Sequence, residues 1–373
     1  MAAKRKPSTG FLIMEGAPGA ETVINGKRCL YFGGTGYFGL HGHPEILRAG
    51  AAAFALGTHS ATTRTGFGNN PILLDVEAKL ADFFGTGAAV YYPSGYLNGL
   101  FLVRSLADRY DVIFADEMSH FSLKDGAAAA AKKTIFFRHR DPSDLRKKLG
   151  GKLRPGQTPL VLTDGVFPTF GKIAPVPEIL RELESYNGLL ALDDAHGAGI
   201  LGIRGRGTLE HFGLAPAARV LAAGTLSKAF GGHGGFIAGS KSFIKHVRES
   251  VGAYAGTTPT PTPIAAASAK GIALVKAHPE WRMALRKNTI RLKFGLKKLG
   301  FPMNDNPVPI AAWTLRTASE MMKVQKALME MGIALAYLKY VGAPAGGVLR
   351  ATVFSTHTSA QIDRLLCELA KIV

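Results

Sequence analysis

One lysine in this sequence stands where a covalent bond to an aldehyde can form. Lys228 follows the short apolar run 220–223 and precedes the glycine-rich stretch 231–235. An amine held in such a turn is a candidate Schiff-base lysine. The glycines let the backbone pass close to a ligand, which argues against the alternative of an ordinary surface lysine.

A carboxylate and a histidine follow an earlier apolar run. Asp193 comes directly after residues 189–192, and His196 comes three positions later. A carboxylate and a lysine at the ends of neighbouring strands meet the needs of pyridoxal phosphate (PLP): the carboxylate keeps a proton on the pyridine nitrogen, and the lysine forms the imine. We expect His196 to reach the phenolic oxygen of the ring. A metal site is less attractive, because structural zinc usually needs four ligands and no second histidine has ligand spacing.

Two groups of small polar residues are candidates for holding the phosphate. The stretch Ser94, Gly95 and Tyr96 follows an apolar run and opens a helical pattern, so free N–H groups at the helix start would attract an anion. Thr225 and Ser227 flank the lysine and offer hydroxyl groups. A turn containing serine and glycine is weak evidence alone and gains weight beside the lysine.

Two further side chains suit the rest of such a site. His120 follows the apolar run 111–115 and is placed to stack on the pyridine ring, although a lone histidine is more often a structural hydrogen bonder. Arg350, in a strand-like run near the C-terminus, would clamp a substrate carboxylate with two hydrogen bonds. A surface ion pair is an equally good interpretation of this arginine from spacing alone.

Short apolar runs separated by helical patterns predict the elements that position these residues. The predicted strands are 88–92, 111–115, 134–137, 160–163, 189–192 and 220–223. Their continuous apolar character is typical of strands covered on both faces, and the helical patterns between them indicate a parallel sheet. Because ligands bind at the carboxyl ends of such strands, the candidate residues should meet at one edge.

The pattern changes after the proline-rich segment 257–263. A long helix is predicted over 264–299, and residues 308–373 mix strands and helices like a smaller α+β unit. We therefore predict an α/β fold with a mostly parallel central sheet in a large domain and a smaller α+β C-terminal domain.

Composition narrows the partners and the compartment. The 373 residues carry a net charge of +18, which suits an acidic partner such as a nucleotide-bearing thioester or an acidic carrier protein. Scattered basic residues without a recognition motif argue against nucleic acid. Only two cysteines are present and no apolar run is long enough to span a bilayer, so we expect a reducing cytoplasm and no membrane span.

Taken together, these motifs resemble those of the α-oxoamine synthases, a family of fold-type I PLP enzymes. The resemblance runs from about residue 25 to the C-terminus. It is carried by Gly26-Lys27, Tyr37-Phe38-Gly39-Leu40, His43-Pro44-Glu45, Thr63-Arg64, Ser94-Gly95-Tyr96, His120, Asp164-Gly165-Val166-Phe167, Asp193-Asp194-Ala195-His196-Gly197, Thr225-Leu226-Ser227-Lys228-Ala229, Arg350 and His357-Thr358.

The resemblance implies a role for each matched position. Lys228 would be the imine lysine and catalytic base, Asp193 would sit on the pyridine nitrogen, and Arg350 would hold the amino-acid carboxylate. His120 and His196 keep the roles given above. The family also implies a homodimer with interfacial active sites, in which Thr257 and Thr258 would reach the partner's phosphate. The corresponding domains are an N-terminal segment over 1–40 that packs with the small domain, a large PLP-binding domain over 41–262, and a linking helix with the small C-terminal domain over 263–373.

Three positions depart from the family pattern. Thr35 stands where the family commonly has a substrate-binding Asn, and Pro168 stands where a serine supports the phenolic oxygen. Gly99 replaces another Asn, with Asn98 one position earlier. The cofactor residues are intact while substrate groups are altered, so the sequence predicts the cofactor more firmly than the substrate.

The expected reaction is condensation of an amino acid with an acyl thioester, carried by coenzyme A or an acyl carrier protein, to give an α-amino ketone. An aminotransferase of the same fold is the alternative, because it needs the same lysine and aspartate. A third alternative is a non-catalytic cofactor-binding module. The presence of both Lys228 and Asp193 argues against it.

Overall fold

A computed structural model describes residues 12–214 and 219–373. The strands are β1 (Glu21–Ile24), β2 (Lys27–Tyr31), β3 (Ala88–Tyr92), β4 (Val112–Asp116), β5 (Thr134–Phe137), β6 (Pro159–Asp164), β7 (Leu189–Asp193), β8 (Val220–Thr225), β9 (Gly235–Gly239), β10 (Ile310–Trp313), β11 (Ile333–Ala334), β12 (Ala336–Leu338) and β13 (Val348–Thr352). The helices are α1 (Pro44–Ala53), α2 (Pro71–Phe84), α3 (Asn98–Arg104), α4 (Phe121–Ala129), α5 (Pro142–Lys152), α6 (Val176–Glu184), α7 (Thr208–His211), α8 (Lys241–Ser250), α9 (Gly252–Gly256), α10 (Thr262–Ala277), α11 (Glu280–Lys298), α12 (Ala318–Glu330) and α13 (Ser359–Ala370).

A seven-stranded sheet with the order β3-β9-β8-β7-β6-β4-β5 forms the centre of the molecule. Its strands are parallel except for β9, which runs antiparallel to both neighbours. The mostly parallel sheet is confirmed, and the predicted strands are found within one or two residues of their expected bounds. Asp193 and Thr225 are the last residues of β7 and β8, so they belong to the strands rather than follow them.

Alternate residues of the central strands pack on opposite faces of the sheet. On β6, Leu160 and Leu162 join an apolar cluster with α3, α4 and α8, whereas Val161 joins another with α5 and α6. Both faces are therefore covered, which explains why these strands are continuously apolar in sequence.

The antiparallel strand β9 was not predicted. It is short, and glycines stand at both of its ends, Gly235 and Gly239. Glycine is depleted in strands, so the sequence pattern there indicates a turn rather than a strand. Its presence makes residues 226–234, which include Lys228, the connection between the antiparallel neighbours β8 and β9.

Two three-stranded sheets lie outside the central one, with the orders β1-β2-β11 and β10-β13-β12. Strand β2, near the N-terminus, pairs in parallel with β11, near the C-terminus, through Leu30 opposite Ile333. Arg350 lies on β13, the central strand of the other small sheet. The proposed division into domains stays a prediction.

The prediction of one long helix over 264–299 is wrong. Two helices, α10 and α11, occupy this stretch and are separated at His278 and Pro279. Proline has no N–H to continue the helical hydrogen bonds, and it disfavours a helical residue before it, so α10 ends and α11 begins there. Among the described residues, no helix is long and apolar enough to cross a membrane.

Candidate active site

A cavity of about 180 Å³ lies at the carboxyl ends of β6, β7 and β8. Strand order puts Asp164, Asp193 and Ala223 side by side, so the ends of these three strands face the same space. The residues that line the cavity are Ser94, Gly95, Tyr96, His120, Ser122, Asp164, Asp193, Ala195, His196, Thr225, Ser227 and Lys228. The sequence had singled out nine of these for the cofactor, and the fold brings all nine together.

The carboxylate of Asp193 is held on both oxygens. Asn98 Nδ2 donates to Oδ1 at 3.0 Å, and the backbone N–H of Ala195 donates to the same oxygen at 3.1 Å. Ser122 Oγ donates to Oδ2 at 3.3 Å. Because three donors fix its plane and Asp193 is 4% exposed, this carboxylate presents a rigid negative group to the cavity.

The amine of Lys228 faces two carboxyl groups from neighbouring strands. Burial lowers the pKa of Lys228 to about 8, while the charges of Asp193 and Asp164 oppose that shift and Arg350 adds to it. Desolvation disfavours the charged ammonium, so more of the neutral, nucleophilic amine is present at neutral pH than in water. This electrostatic setting is what an imine-forming lysine needs.

His120 is anchored to the aspartate at the end of β6. Its backbone N–H donates to Asp164 Oδ2 at 2.9 Å, and its Nδ1 lies 2.8 Å from Ser122 Oγ. Burial lowers the pKa of His120, which favours the neutral imidazole. Burial, and then the nearby charge of Asp193, raises the pKa of Asp164 well above its usual range.

His196 is paired with a tyrosine from the N-terminal part of the chain. Its Nδ1 lies 2.6 Å from the hydroxyl oxygen of Tyr37. Burial raises the pKa of Tyr37 and lowers that of His196 well below its usual value, so both groups are neutral. Where the phenol donates to Nδ1, His196 Nε2 is the N–H donor on the opposite side of the ring.

The predicted phosphate residues meet where β3 and β8 end. A Cβ atom added at Gly95 would lie 2.6 Å from Thr225 Oγ1, so only glycine permits this approach. Thr225 Oγ1 lies 3.2 Å from Ser227 Oγ and also 3.0 Å from the carbonyl oxygen of Gly234. Ser94 Oγ accepts the N–H of Tyr96 at 3.2 Å.

Arg350 and Thr35 do not line this cavity. Arg350 is buried on β13, makes no ion pair with a described residue, and donates to the carbonyl oxygens of Pro168 at 3.1 Å and Gly33 at 3.5 Å. The surface ion pair considered from the sequence is therefore wrong. Its Nε has no partner among the described atoms. In the sequence, Thr35 lies between Gly33, which contacts Arg350, and Tyr37, which contacts His196.

Thr257 and Thr258 are not among the residues that line this cavity. Thr257 donates its hydroxyl to the carbonyl oxygen of Ala253 at 2.7 Å, and Thr258 is exposed. Their contact with a partner's phosphate stays a prediction.

Several residues of the site had no role assigned to them from the sequence, although Tyr37, Asn98 and Asp164 stood in or beside the motifs that carry the resemblance. Asn98 and Ser122 hold Asp193, Tyr37 pairs with His196, and Tyr340 places its hydroxyl 2.6 Å from His120 Nε2. Asp164 is the one with a clear local signal, because it ends an apolar strand as Asp193 does. The others act across long sequence separations that periodicity does not show.

The described residues fit PLP. A rigid carboxylate and a lysine amine face one cavity from adjacent strands, and a glycine without room for a Cβ lies beside two hydroxyl groups. Two larger cavities, of about 430 Å³ and about 580 Å³, lie elsewhere, and neither is lined by a lysine from the described part of the chain. The chemistry of the smaller cavity, rather than its volume, makes it the candidate cofactor site.

Comparison with known proteins agrees with this site. The sequence model of the family "Aminotransferase class I and II" matches residues 34–369. An 8-amino-7-oxononanoate synthase from Methylococcus capsulatus is 36% identical over 366 residues, which are 97% of this chain and 93% of that protein. Another from Thioalkalivibrio sulfidiphilus is 34% identical over 358 residues, 95% of this chain and 91% of that protein. The structure of a serine palmitoyltransferase from S. paucimobilis, with PLP and myriocin bound, superposes with a TM-score of 0.91 at 29% identity and covers 97% of this chain and 92% of that one.

The fold and the site define a fold-type I PLP transferase. The chain belongs to the aminotransferase class I and II family and, within it, to the α-oxoamine synthases. Its cofactor is PLP.

Proposed function

We propose that this protein condenses an amino acid with an acyl thioester to give an α-amino ketone. The observation that carries the proposal is that Asp193, at the end of β7, and Lys228, in the connection that follows the adjacent strand β8, line one cavity. The relatives named above support the condensation over the aminotransferase alternative. The name 8-amino-7-oxononanoate describes an α-amino ketone, and serine palmitoyltransferase by its name joins serine to an acyl group.

Four side chains supply the binding and proton transfers. When bound, PLP delocalises the negative charge that forms on the α-carbon of the amino acid. Asp193 holds the proton on the pyridine nitrogen, and the neutral amine of Lys228 takes the α-proton. His196 would direct its Nε2–H toward the phenolic oxygen, and His120 would cover one face of the ring.

The amino-acid carboxylate is assigned to Arg350. Burial lowers its pKa, yet a guanidinium remains charged at neutral pH, so it brings a desolvated positive charge to a site near Lys228 and His196. Its Nε has no partner in the described structure, which leaves a donor for an incoming carboxylate. Thr35, in the segment that Arg350 contacts, is proposed to face the substrate.

The remaining parts of the proposal concern assembly and partners. A homodimer would bring Thr257 and Thr258 to the phosphate of the partner's cofactor. The acyl donor is proposed to be a coenzyme A thioester or an acidic acyl carrier protein, because the net charge of +18 attracts polyanions. Both cysteines are free thiols, which supports a cytoplasmic location.

A thiol-release assay tests the reaction. Purified protein with PLP is given small amino acids, including serine, and acyl-coenzyme A thioesters of short, medium and long chains. We expect free thiol to appear only when both substrates are present, with an α-amino ketone found by mass spectrometry. Lys228→Ala should abolish the release, whereas Lys241→Ala, at an exposed lysine of α8, should retain it. Pyridoxamine phosphate formed without any thioester requirement would instead establish the aminotransferase.

A further inference from the structure

Tyr340 has no role in the proposed reaction so far, and it reaches His120 from outside the central sheet. It belongs to the connection between β12 and β13, and its hydroxyl oxygen lies 2.6 Å from His120 Nε2. The edge of its ring also packs on Phe121, with ring centres 5.7 Å apart and planes at 83°. This edge-to-face geometry is favourable for an aromatic pair and limits the rotation of the tyrosine.

The connection that carries Tyr340 is held in place at several points. Thr169 donates its hydroxyl to the carbonyl oxygen of Val341 at 2.5 Å, and Tyr337 donates to that of Gly346 at 2.8 Å. The next strand, β13, carries Arg350, which donates to the carbonyl oxygen of Pro168 beside Thr169. Tyr340 therefore lies in a connection of the same small sheet that carries Arg350, the residue assigned to the substrate carboxylate.

A chain of hydrogen-bonding groups runs from Tyr340 to Asp193. His120 Nε2 contacts the phenol, Nδ1 contacts Ser122 Oγ, and Ser122 Oγ donates to Asp193 Oδ2. A neutral imidazole has one donor nitrogen and one acceptor nitrogen, so the partner of one nitrogen decides the role of the other. Burial raises the pKa of Tyr340, so the phenol keeps its proton, and the backbone N–H of Ser122 donates to Nδ1 at 3.2 Å. With Nδ1 accepting from that N–H, Nε2–H donates to the phenol oxygen of Tyr340, while the Ser122 hydroxyl donates to Asp193.

We propose that Tyr340 is a positioning residue for the condensation: its hydroxyl fixes the ring orientation and the tautomer of His120. This inference rests on the proposed function. It adds Tyr340, which adjoins a small sheet, to the residues that orient His120 beside the cofactor. The physical reason is that removing one partner of a partly buried imidazole frees both its rotation and its choice of tautomer.

The test combines imidazole NMR with kinetics on the full-length protein. The ¹⁵N shifts of His120, identified by their loss in His120→Asn, are measured without and with PLP in the wild type and in Tyr340→Phe. We expect one fixed neutral tautomer in the wild type and shifts that move toward the average of the two tautomers in Tyr340→Phe. We also expect kcat/KM for the amino acid to fall about tenfold in Tyr340→Phe, with PLP affinity within about twofold of wild type.

Tyr337→Phe is the matched control, because it removes a nearby hydroxyl on β12 that bonds the same connection at Gly346 and does not contact His120. It should leave the His120 shifts and the kinetics near wild type. Unchanged His120 shifts in Tyr340→Phe would overturn the inference, as would moved shifts with an unchanged kcat/KM, or equal effects of both substitutions. If the wild type forms no ketone, the proposed function fails, while the NMR comparison still decides whether Tyr340 holds His120.

Discussion

Burial disfavours the charged form of most titratable groups around Lys228. It lowers the pKa of the lysine to about 8 and that of His196 well below its usual value, and it raises the pKa of Asp164. Neutral groups are therefore favoured on several sides of the cavity. The practical result is that a neutral amine and neutral imidazoles stand ready at the pH of the cell, which suits both imine formation and proton transfer.

The lowered pKa of Lys228 predicts how fast PLP becomes attached at different pH values. Only the neutral amine attacks an aldehyde, so the rate should rise about tenfold per pH unit below pH 8 and level off above it. The attached fraction is trapped with borohydride at timed intervals and measured by absorbance. Lys228→Ala should show no trapped cofactor. A rate that continues to climb up to about pH 10 would mean that burial does not lower the pKa of this amine.

At the scale of elements, two helices cross closely enough to hold Asp193 from both sides. Helix α3 carries Asn98 and α4 carries Ser122, and they touch through Gly99 and Gly126. A Cβ added at Gly99 would lie 2.0 Å from the carbonyl oxygen of Ser122. An Asn at position 99, as in the family, is therefore incompatible with the observed helix crossing. The neighbouring Asn98 donates a hydrogen bond to Asp193.

Substituting Gly99 by alanine should therefore force α3 and α4 apart. Overpacking of this kind costs about 1–3 kcal/mol of the free energy of unfolding. We expect PLP affinity to fall as well, because Asn98 and Ser122 move off Asp193. Chemical unfolding and cofactor titration measure the two effects.

Gly151→Ala in α5 is the matched control, because nothing lies within 4 Å of a Cβ added there. Replacing a helical glycine by alanine at an open position stabilises by up to about 1 kcal/mol. Equal stability of the two variants would contradict the close helix crossing.

At the scale of the whole molecule, the net charge of +18 is the feature most relevant to substrates. A strongly positive surface raises the local concentration of anions and is screened by salt. Because coenzyme A carries phosphates, attraction of the proposed acyl donor by this charge would be a property of the entire surface rather than of one residue.

Salt should therefore weaken the binding of a coenzyme A thioester. Between about 50 mM and about 300 mM salt we expect KM for the acyl-coenzyme A to rise about threefold. The same acyl group on N-acetylcysteamine, which lacks phosphates, is the matched control and should show little change in KM. Parallel salt dependence of the two thioesters would argue against long-range attraction of the donor.

The sequence by itself determined the cofactor chemistry of this protein. Lys228, Asp193 and Thr225 stand at the ends of continuous apolar runs, and the carboxyl ends of parallel strands meet at one edge, so local patterns were sufficient to group them. Local patterns were not sufficient to predict strand β9, because its glycines are typical of a turn. They also did not predict that the helical stretch is interrupted at Pro279.

Only the tertiary structure decided how these groups are held. Asn98 and Ser122 reach Asp193 from 95 and 71 positions away, and Tyr340 reaches His120 across 220 positions and from another sheet. Such contacts depend on how helices and sheets pack. This packing produces no periodic pattern in the sequence from which the contacts could be predicted. The burial that lowers the pKa of Lys228 has the same origin, since it comes from residues assembled by the fold.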